Sequence, residues 1–194
     1  MKIVITKYLI FFGLLIGGCD FFVTREPEKP DQGRANFLPP TEPRIVIENL
    51  KNAFTDKNVQ NYVACLVDTF FTSKKFRFIP SSEAASNFVF LTQDWSVFEE
   101  RKYFSSIVSK VPKDFPITLS ITDENYSSLS GDTILYTSNY FINVPHNSSE
   151  PKSYAGNLQF NMVRDSRSNW SIYFWKDTRS GSLPSWSELK GYFY

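Results

Sequence analysis

Residues suited to cysteine–histidine catalysis are scarce in this chain. It contains two cysteines and one histidine, and a cysteine nucleophile needs a histidine partner to take its proton. Cys65 lies in an apolar, helix-like stretch from Tyr62 to Leu66, whereas His146 lies in a loop-like stretch. We therefore predict that Cys65 is a small core residue. The sequence has no His/Cys cluster with metal-ligand spacing and no Gly-rich phosphate loop, so it predicts neither a metal nor a cofactor.

The other cysteine, Cys19, follows a segment with the features of a signal peptide. Lys2 and Lys7 precede an uncharged, mostly apolar run from Tyr8 to Gly18. This run is too short for an ordinary membrane-spanning helix, which needs about 20 apolar residues. The alternative is a buried helix at the start of the fold, which the polar, proline-rich stretch that follows disfavours.

Residues 16–19 read Ile-Gly-Gly-Cys and resemble the lipobox of bacterial lipoproteins. The resemblance implies that residues 1–18 are a cleaved signal peptide and that Cys19 is the lipidated N-terminus. Two or three acyl chains give a stable hold on a bilayer. It therefore implies a lipid-anchored protein of the bacterial cell envelope, and it leaves open whether the inner or the outer membrane carries it.

The next segment, residues 19–42, is predicted to be the lipidated N-terminus and a tether. Residues 24–44 hold five prolines and many charges, a composition typical of extended linkers. Without residues 1–18 the chain has 19 basic and 20 acidic side chains. This balance argues against electrostatic capture of nucleic acid. Membrane contact through the lipid is the predicted partnership.

Residues 43–194 are predicted to form a single α+β domain with an aromatic core, because 17% of the chain is Phe, Trp or Tyr. Helical spacing predicts three main helices, followed by strands. The first helix carries Val46, Leu50 and Phe54 on one face. Asp56 is the predicted N-cap of the second helix. The third helix starts with a Ser96–Glu99 capping box and carries the stripe Val97, Arg101, Phe104 and Val108.

Residues 69–80 are predicted to form a strand that ends at Pro80, and after Pro116 the apolar period changes to two. Four further strands joined by short turns predict an antiparallel sheet covered on one face by the helices. On the last strand, Ile172 alternates with Tyr173 and Trp175. Strict alternation would place Ile172 and Trp175 on opposite faces of the sheet.

This order of elements resembles the nuclear transport factor 2-like superfamily, whose members share a cone made of a strongly curved sheet around helices. The resemblance rests on residues 45–66, on the aromatic residues 69–80 and on residues 154–178, which end in W-x-I-x-x-W-x-D. The tail SW-x-x-LKG at residues 185–191 also looks like that of uncharacterised bacterial lipoproteins of this superfamily. The superfamily includes isomerases, dehydratases and cyclases, and also modules without catalysis, so the fold alone does not settle function.

The resemblance suggests two ways to place catalysis in the cone. The dehydratase type uses a His-Asp pair, which a single loop histidine does not favour. The ketosteroid isomerase type uses a carboxylate base and a tyrosine. Candidate carboxylates in apolar surroundings are Asp68, Glu99 and Asp177, and the catalytic alternative combines Asp68 with Tyr136 or Tyr140.

A binding role needs less chemistry than catalysis. The pocket candidates are amphipathic aromatic residues that could line the mouth of a cone, namely Tyr62, Trp95, Tyr136, Tyr140 and Trp175. With nineteen Phe residues, a filled interior is favoured over a hollow one. The prediction is therefore a non-catalytic binding or assembly module, with a protein partner, a homodimer and a small apolar ligand all left open.

Overall fold

The computed structural model of the chain describes residues 36–194. The predicted signal peptide, Cys19 and most of the predicted tether lie outside the described residues. In these residues no helix is long and apolar enough to cross a membrane. The helices are α1 (Pro43–Thr55), α2 (Val59–Ala64), α3 (Ser82–Asn87), a 3-10 turn (Val89–Thr92), α4 (Val97–Lys110) and α5 (Trp186–Phe193). The strands are β1 (Arg77–Ile79), β2 (Thr118–Ser130), β3 (Thr133–Asn143), β4 (Ser153–Arg164) and β5 (Trp170–Arg179).

Helix α1 follows its predicted pattern, with Pro43 in its first turn and Val46, Leu50 and Phe54 buried. The prediction that Asp56 caps α2 is wrong. Asp56 is the C-cap of α1, and the side chain of Asn58 accepts the backbone N–H of the third residue of α2 at 3.0 Å. The N-cap of α2 therefore lies two residues later than the sequence suggested.

The capping box that starts α4 is confirmed. The Ser96 side chain accepts a backbone N–H in the first turn, and the Glu99 carboxylate accepts the Ser96 backbone N–H at 2.9 Å. The predicted stripe is partly wrong, because of its members only Phe104 is buried, and Val97, Arg101 and Val108 are half-buried. The buried residues of α4 are Glu100, Tyr103, Phe104 and Ile107.

The five strands form one sheet in the order β1-β5-β4-β3-β2. The predicted α+β class and the antiparallel pairing of β2 to β5 are confirmed. Strand β1 instead pairs with β5 in parallel, and of the twelve residues predicted for it only Arg77–Ile79 are a strand. Because α3, α4 and the meander separate β1 from β5 in the chain, no hairpin turn forces these two strands to be antiparallel.

A bulge at Tyr173 changes which residues of β5 face the helices. Phe174 pairs with Asn161 of β4, but the next residue of β4 pairs with Ile172, so Tyr173 is the extra residue. Ile172 and Trp175 are consequently both fully buried. The predicted strict alternation is wrong at this point.

We use the term interior for the space between the inner face of the sheet and helices α1, α4 and α5. Residues from all of these elements are buried there and form one hydrophobic cluster. Helix α5 contributes large side chains to it, and Trp186, Leu189 and Phe193 are at most 2% exposed. The C-terminal helix therefore fills the interior instead of lying on the outside.

Part of the predicted tether also contacts the domain. The Asn49 side chain bonds both the backbone N–H of Leu38, at 2.9 Å, and its carbonyl, at 2.7 Å. The backbone N–H of Trp170 donates to the Pro40 carbonyl at 2.7 Å. Residues 38–40 thus lie against α1 and the start of β5.

Candidate functional site

Side chains from two strands hold the N-terminus of α5. The Tyr140 hydroxyl donates to Asp177 Oδ1 at 2.7 Å and accepts the backbone N–H of Trp186 at 2.6 Å. The other oxygen of Asp177 accepts both the backbone N–H and the hydroxyl of Ser187, at 2.7 and 2.5 Å. Because the first N–H groups of a helix have no partner within the helix, these contacts satisfy them.

Tyr140 and Asp177 form a carboxylate–tyrosine pair of the type that the enzyme hypothesis requires. Burial raises the pKa of Asp177, although its hydrogen bonds with Ser187 and Tyr140 oppose the shift. Burial and the nearby carboxylate also raise the pKa of Tyr140. All contacts of the pair described above are made to each other or to α5, so the pair serves as a cap for that helix.

A second polar cluster lies deeper in the interior and joins α4 to α5. Glu100 accepts hydrogen bonds from the Tyr62 hydroxyl at 2.6 Å, from Trp95 Nε1 at 2.7 Å and from Lys190 Nζ. Glu100 and Lys190 are both fully buried. The Lys190 ammonium also lies 3.5 Å from the centroid of the Trp175 ring. Burial lowers the pKa of Lys190 to about 8, and Glu100 opposes that shift.

The predicted pocket residues take part in this packing. Tyr62 and Trp95 donate to Glu100, Tyr140 donates to Asp177, and the Tyr136 hydroxyl donates to Glu124 Oε2 at 2.8 Å. Each is at most 4% exposed. Trp175 is fully buried, and its Nε1 has no hydrogen-bond partner among the described residues. All five therefore pack against the interior's own side chains.

Glu100 and Lys190 were not predicted as functional residues, although the sequence contains a signal for both. Glu100, Tyr103, Phe104 and Ile107 are buried positions of α4 at helical spacing, and Trp186, Leu189, Lys190 and Phe193 repeat that spacing in α5. A charged residue thus occupies one core position in each stripe, and the two charges are opposite. Buried charges are normally paired, so this pattern predicts the ion pair.

The two residues considered for nucleophilic catalysis have different hydrogen-bond partners. The Cys65 thiol donates to the Asn61 carbonyl at 3.3 Å, and burial raises its pKa, which disfavours the thiolate. His146 is buried against the Phe193 ring, at 5.0 Å between centroids, and its Nε2 lies 3.0 Å from the Pro151 carbonyl oxygen. The prediction of Cys65 as a core residue is confirmed.

An open groove of about 760 Å³ lies outside the interior, and we call it the outer groove. It runs between α2, the start of α4, the loop after α2 and the turn between β4 and β5. Asp68 lies here and not beside Tyr136 or Tyr140, whose carboxylate partners are Glu124 and Asp177. The charged residues of the outer groove are Asp68, Lys75, Asp94, Arg101, Asp165 and Arg167.

Two further features bear on ligands. A smaller concavity of about 310 Å³ lies on the sheet and is lined mainly by amide, hydroxyl and charged side chains. Among the described residues no three His, Cys, Asp or Glu side chains are grouped so as to hold a metal ion. The functional hypotheses below concern the interior and the outer groove.

Comparison with solved structures identifies the architecture. A conserved protein from Planctomyces limnophilus matches with a TM-score of 0.55 and 14% identity, covering 71% of this chain and 92% of that one. A candidate dehydratase of the nuclear transport factor 2-like family from Streptomyces avermitilis matches with a TM-score of 0.53 and 11% identity, covering 79% and 100%.

A nuclear transport factor 2-like protein of unknown function from Pseudomonas putida matches with a TM-score of 0.50 and 11% identity, covering 72% of this chain and 84% of that one. No protein-family model and no curated protein matches the chain. Identities this low establish architecture and not activity. The α+β domain described above therefore has the nuclear transport factor 2-like fold.

Proposed function

We propose that this domain is a non-catalytic binding or assembly module that engages a protein partner through the outer groove. The observation that carries the proposal is the filled interior. Trp186, Leu189 and Lys190 of α5 occupy the space in which a substrate would have to bind. Both buried carboxylate–tyrosine pairs described above are already engaged. Asp177 and Tyr140 contact α5 itself, and Glu100 and Tyr62 lie in the cluster that holds Lys190.

The outer groove has the composition of a protein-binding surface. Its three acidic and three basic side chains suit a partner segment of mixed charge, and apolar residues such as Val63, Val97 and Trp170 lie among them. Phe70, in the loop whose neighbouring residues line the groove, is 85% exposed. An exposed aromatic side chain beside such a groove is a typical anchor for a protein interface.

Site-specific photo-crosslinking in cells tests this proposal. A photoreactive residue at Thr69, which is exposed in the outer groove, should form an adduct with one discrete protein. The same residue at Thr178, exposed on the sheet, is the matched control and should form no such adduct. Arg101→Glu should abolish the Thr69 adduct because it reverses a groove charge.

The other outcomes are equally informative. An adduct of twice the chain's own mass would replace the partner by a second copy of this protein. Equal labelling from Thr69 and Thr178, or a Thr69 adduct unaffected by Arg101→Glu, would contradict the outer groove as the binding surface. A small apolar ligand would be indicated by a low-mass adduct at Thr69.

We also propose that the module is held at a membrane of the bacterial cell envelope by lipid on Cys19. The support is the sequence pattern of residues 1–19 and the proline-rich stretch that follows. Cys19→Ala should move the protein from the membrane fraction to the soluble fraction. If the variant remains wholly with the membrane, or if mass spectrometry of the native protein finds Met1 or an unmodified Cys19 thiol, the anchor is something else.

The second candidate function is an isomerase or cyclase-like enzyme, and the 2.7 Å contact between Tyr140 and Asp177 favours it. A buried carboxylate with a raised pKa is suited to proton transfer. Catalysis by this pair would require α5 to leave the interior. Asp177→Asn would then abolish the biological activity at full folding, whereas the binding role predicts that the Thr69 adduct persists in the folded variant.

A further inference from the structure

The deeper polar cluster surrounds its single cation in the manner of a ligand site. Lys190 Nζ lies 3.5 Å from the centroid of the Trp175 ring and 3.7 Å from that of Phe78. Glu100 accepts a hydrogen bond from the same ammonium. Aromatic faces around a desolvated cation, with a carboxylate as counter-ion, are the means by which proteins recognise organic ammonium ions.

The carboxylate of this cluster is positioned without help from Lys190. Trp95 Nε1 and the Tyr62 hydroxyl donate to its two oxygens, one each, at 2.7 and 2.6 Å. Removal of the lysine amine would therefore leave a buried carboxylate in a fixed orientation. A fixed and unpaired buried charge strongly favours the uptake of a counter-ion.

The aromatic walls are likewise held by their neighbours. The rings of Phe78 and Trp175 meet edge to face, with centroids 5.7 Å apart and planes at 84°. On its other side Trp175 packs against Trp186 at 4.5 Å and 85°. The rings of Phe78 and Trp175 are thus held in place around the Lys190 ammonium.

We propose that the interior holds a binding site for a primary alkylammonium ion, formed by Glu100, Phe78 and Trp175, and that Lys190 is the ligand that the chain itself supplies. The inference goes beyond the proposed binding function, because it concerns the interior and not the outer groove. The test of this site does not depend on whether a protein partner binds the outer groove.

The lysine side chain defines the size of the external ligand. Lys190→Ala removes three methylene groups and the ammonium, which together correspond to n-propylammonium. This ion can place its nitrogen against Glu100 and its carbon atoms in the channel that the lysine leaves. 1-Propanol has nearly the same shape without the charge, and it is therefore the neutral control.

Thermal unfolding of the full chain tests the site. Propylammonium chloride should raise the Tm of Lys190→Ala by about 3–6 °C at ten times its Kd, relative to sodium chloride at equal ionic strength. It should leave the wild type unchanged, because the site is already filled. 1-Propanol should not stabilise the variant.

Lys102→Ala is the matched control for non-specific effects. The Lys102 ammonium lies 4.1 Å from the Tyr194 ring centroid, but the residue is exposed and donates to a hydroxyl instead of a carboxylate. Propylammonium should not stabilise this variant. A folded Lys190→Ala that does not respond to propylammonium, or that responds equally to 1-propanol, would overturn the proposal, as would an equal response of the wild type.

A second variant keeps the proposal falsifiable if Lys190→Ala does not fold. Lys190→Ala combined with Glu100→Gln removes the unpaired charge and keeps the aromatic walls. Propylammonium should stabilise the double variant no more than 1-propanol does, because the counter-ion is gone, whereas propylammonium in the refolding buffer should restore the folded state of Lys190→Ala. A preference for propylammonium that survives Glu100→Gln, or no restoration of Lys190→Ala, would refute the ammonium site.

Discussion

Strand β5 supplies a tryptophan to each of two very different regions. Trp175 lies in the interior, fully buried between Phe160 and Trp186. Trp170, five residues earlier, is half-buried and lines the outer groove. In the interior Glu100 pairs with Lys190, and Asp177 contacts α5. In the outer groove Asp68, Lys75 and Asp94 form no ion pair within the described residues. The difference separates the stability of the domain from the surface available for recognition.

The largest expected effect comes from truncating these two tryptophans. Trp175→Ala should lower the free energy of unfolding by about 3–5 kcal/mol, because it removes a fully buried ring. Trp170→Ala should cost clearly less, since part of its ring already faces solvent. Urea denaturation of the two variants measures the contrast, and equal losses would show that the groove belongs to the core.

The second prediction compares Asp68, which the sequence-based hypothesis placed in the catalytic pair, with Asp177, which contacts Tyr140 in the structure. Asp177→Asn should lower stability by about 2–3 kcal/mol, because Tyr140 and Ser187 lose a charged acceptor. Asp68→Asn should change stability by no more than about 0.5 kcal/mol, since Asp68 is exposed.

Chemical denaturation and the Thr69 adduct together give the readout for these two variants. Asp68→Asn should weaken the Thr69 adduct and leave stability unchanged. Asp177→Asn should lower stability and leave the adduct of the folded protein unchanged. A result in which Asp68→Asn unfolds the domain while Asp177→Asn is silent would reverse the assignment of the two regions.

Several features of the fold follow from local patterns in the sequence. The stripe of α1 and the Ser96–Glu99 capping box depend on residues within one or two helical turns, and both were predicted. The antiparallel meander follows from alternating strands with short turns. These patterns were sufficient to identify the α+β class.

The features that were missed depend on contacts between distant residues. The bulge at Tyr173 is a register shift between β4 and β5, and the sequence of β5 alone does not show it. Glu100 and Lys190 are 90 residues apart, and Tyr140 and Asp177 are 37 apart. One sequence shows that each residue needs a partner but does not state which partner the fold provides.

The third prediction concerns how closely α5 fits into the fold. A Cβ atom at Gly191 would overlap the ring of Phe88, which packs against this helix. Gly191→Ala should therefore lower the Tm, with a net cost of about 1–2 kcal/mol, because overpacking outweighs the better helix propensity of alanine. Phe88→Ala should remove most of that penalty in the double variant. If Gly191→Ala is neutral in both backgrounds, α5 is held less tightly than the interior packing indicates.

The smallest expected effect is the pH dependence that Lys190 confers. Burial lowers its folded-state pKa to about 8, below the ordinary value of 10.5, so between these values the unfolded chain holds a proton that the folded chain has released. The contribution of Lys190 to stability must therefore rise with pH across this window and be flat well below it. The wild type should gain less than about 1 kcal/mol relative to Lys190→Met between pH 7.5 and 8.5.

Lys190→Met is the reference for this measurement because it keeps most of the side-chain volume and cancels other titrations. The comparison should stay below about pH 9.5. Above this pH the tyrosines of the unfolded chain ionise, whereas burial raises the pKa of Tyr62 and Tyr103 in the folded chain, so the folded state loses stability as pH rises. A difference that falls with pH would mean that Glu100 holds the ammonium more strongly than burial opposes it. The interior would then favour the charged form of Lys190 over its neutral form more than water does.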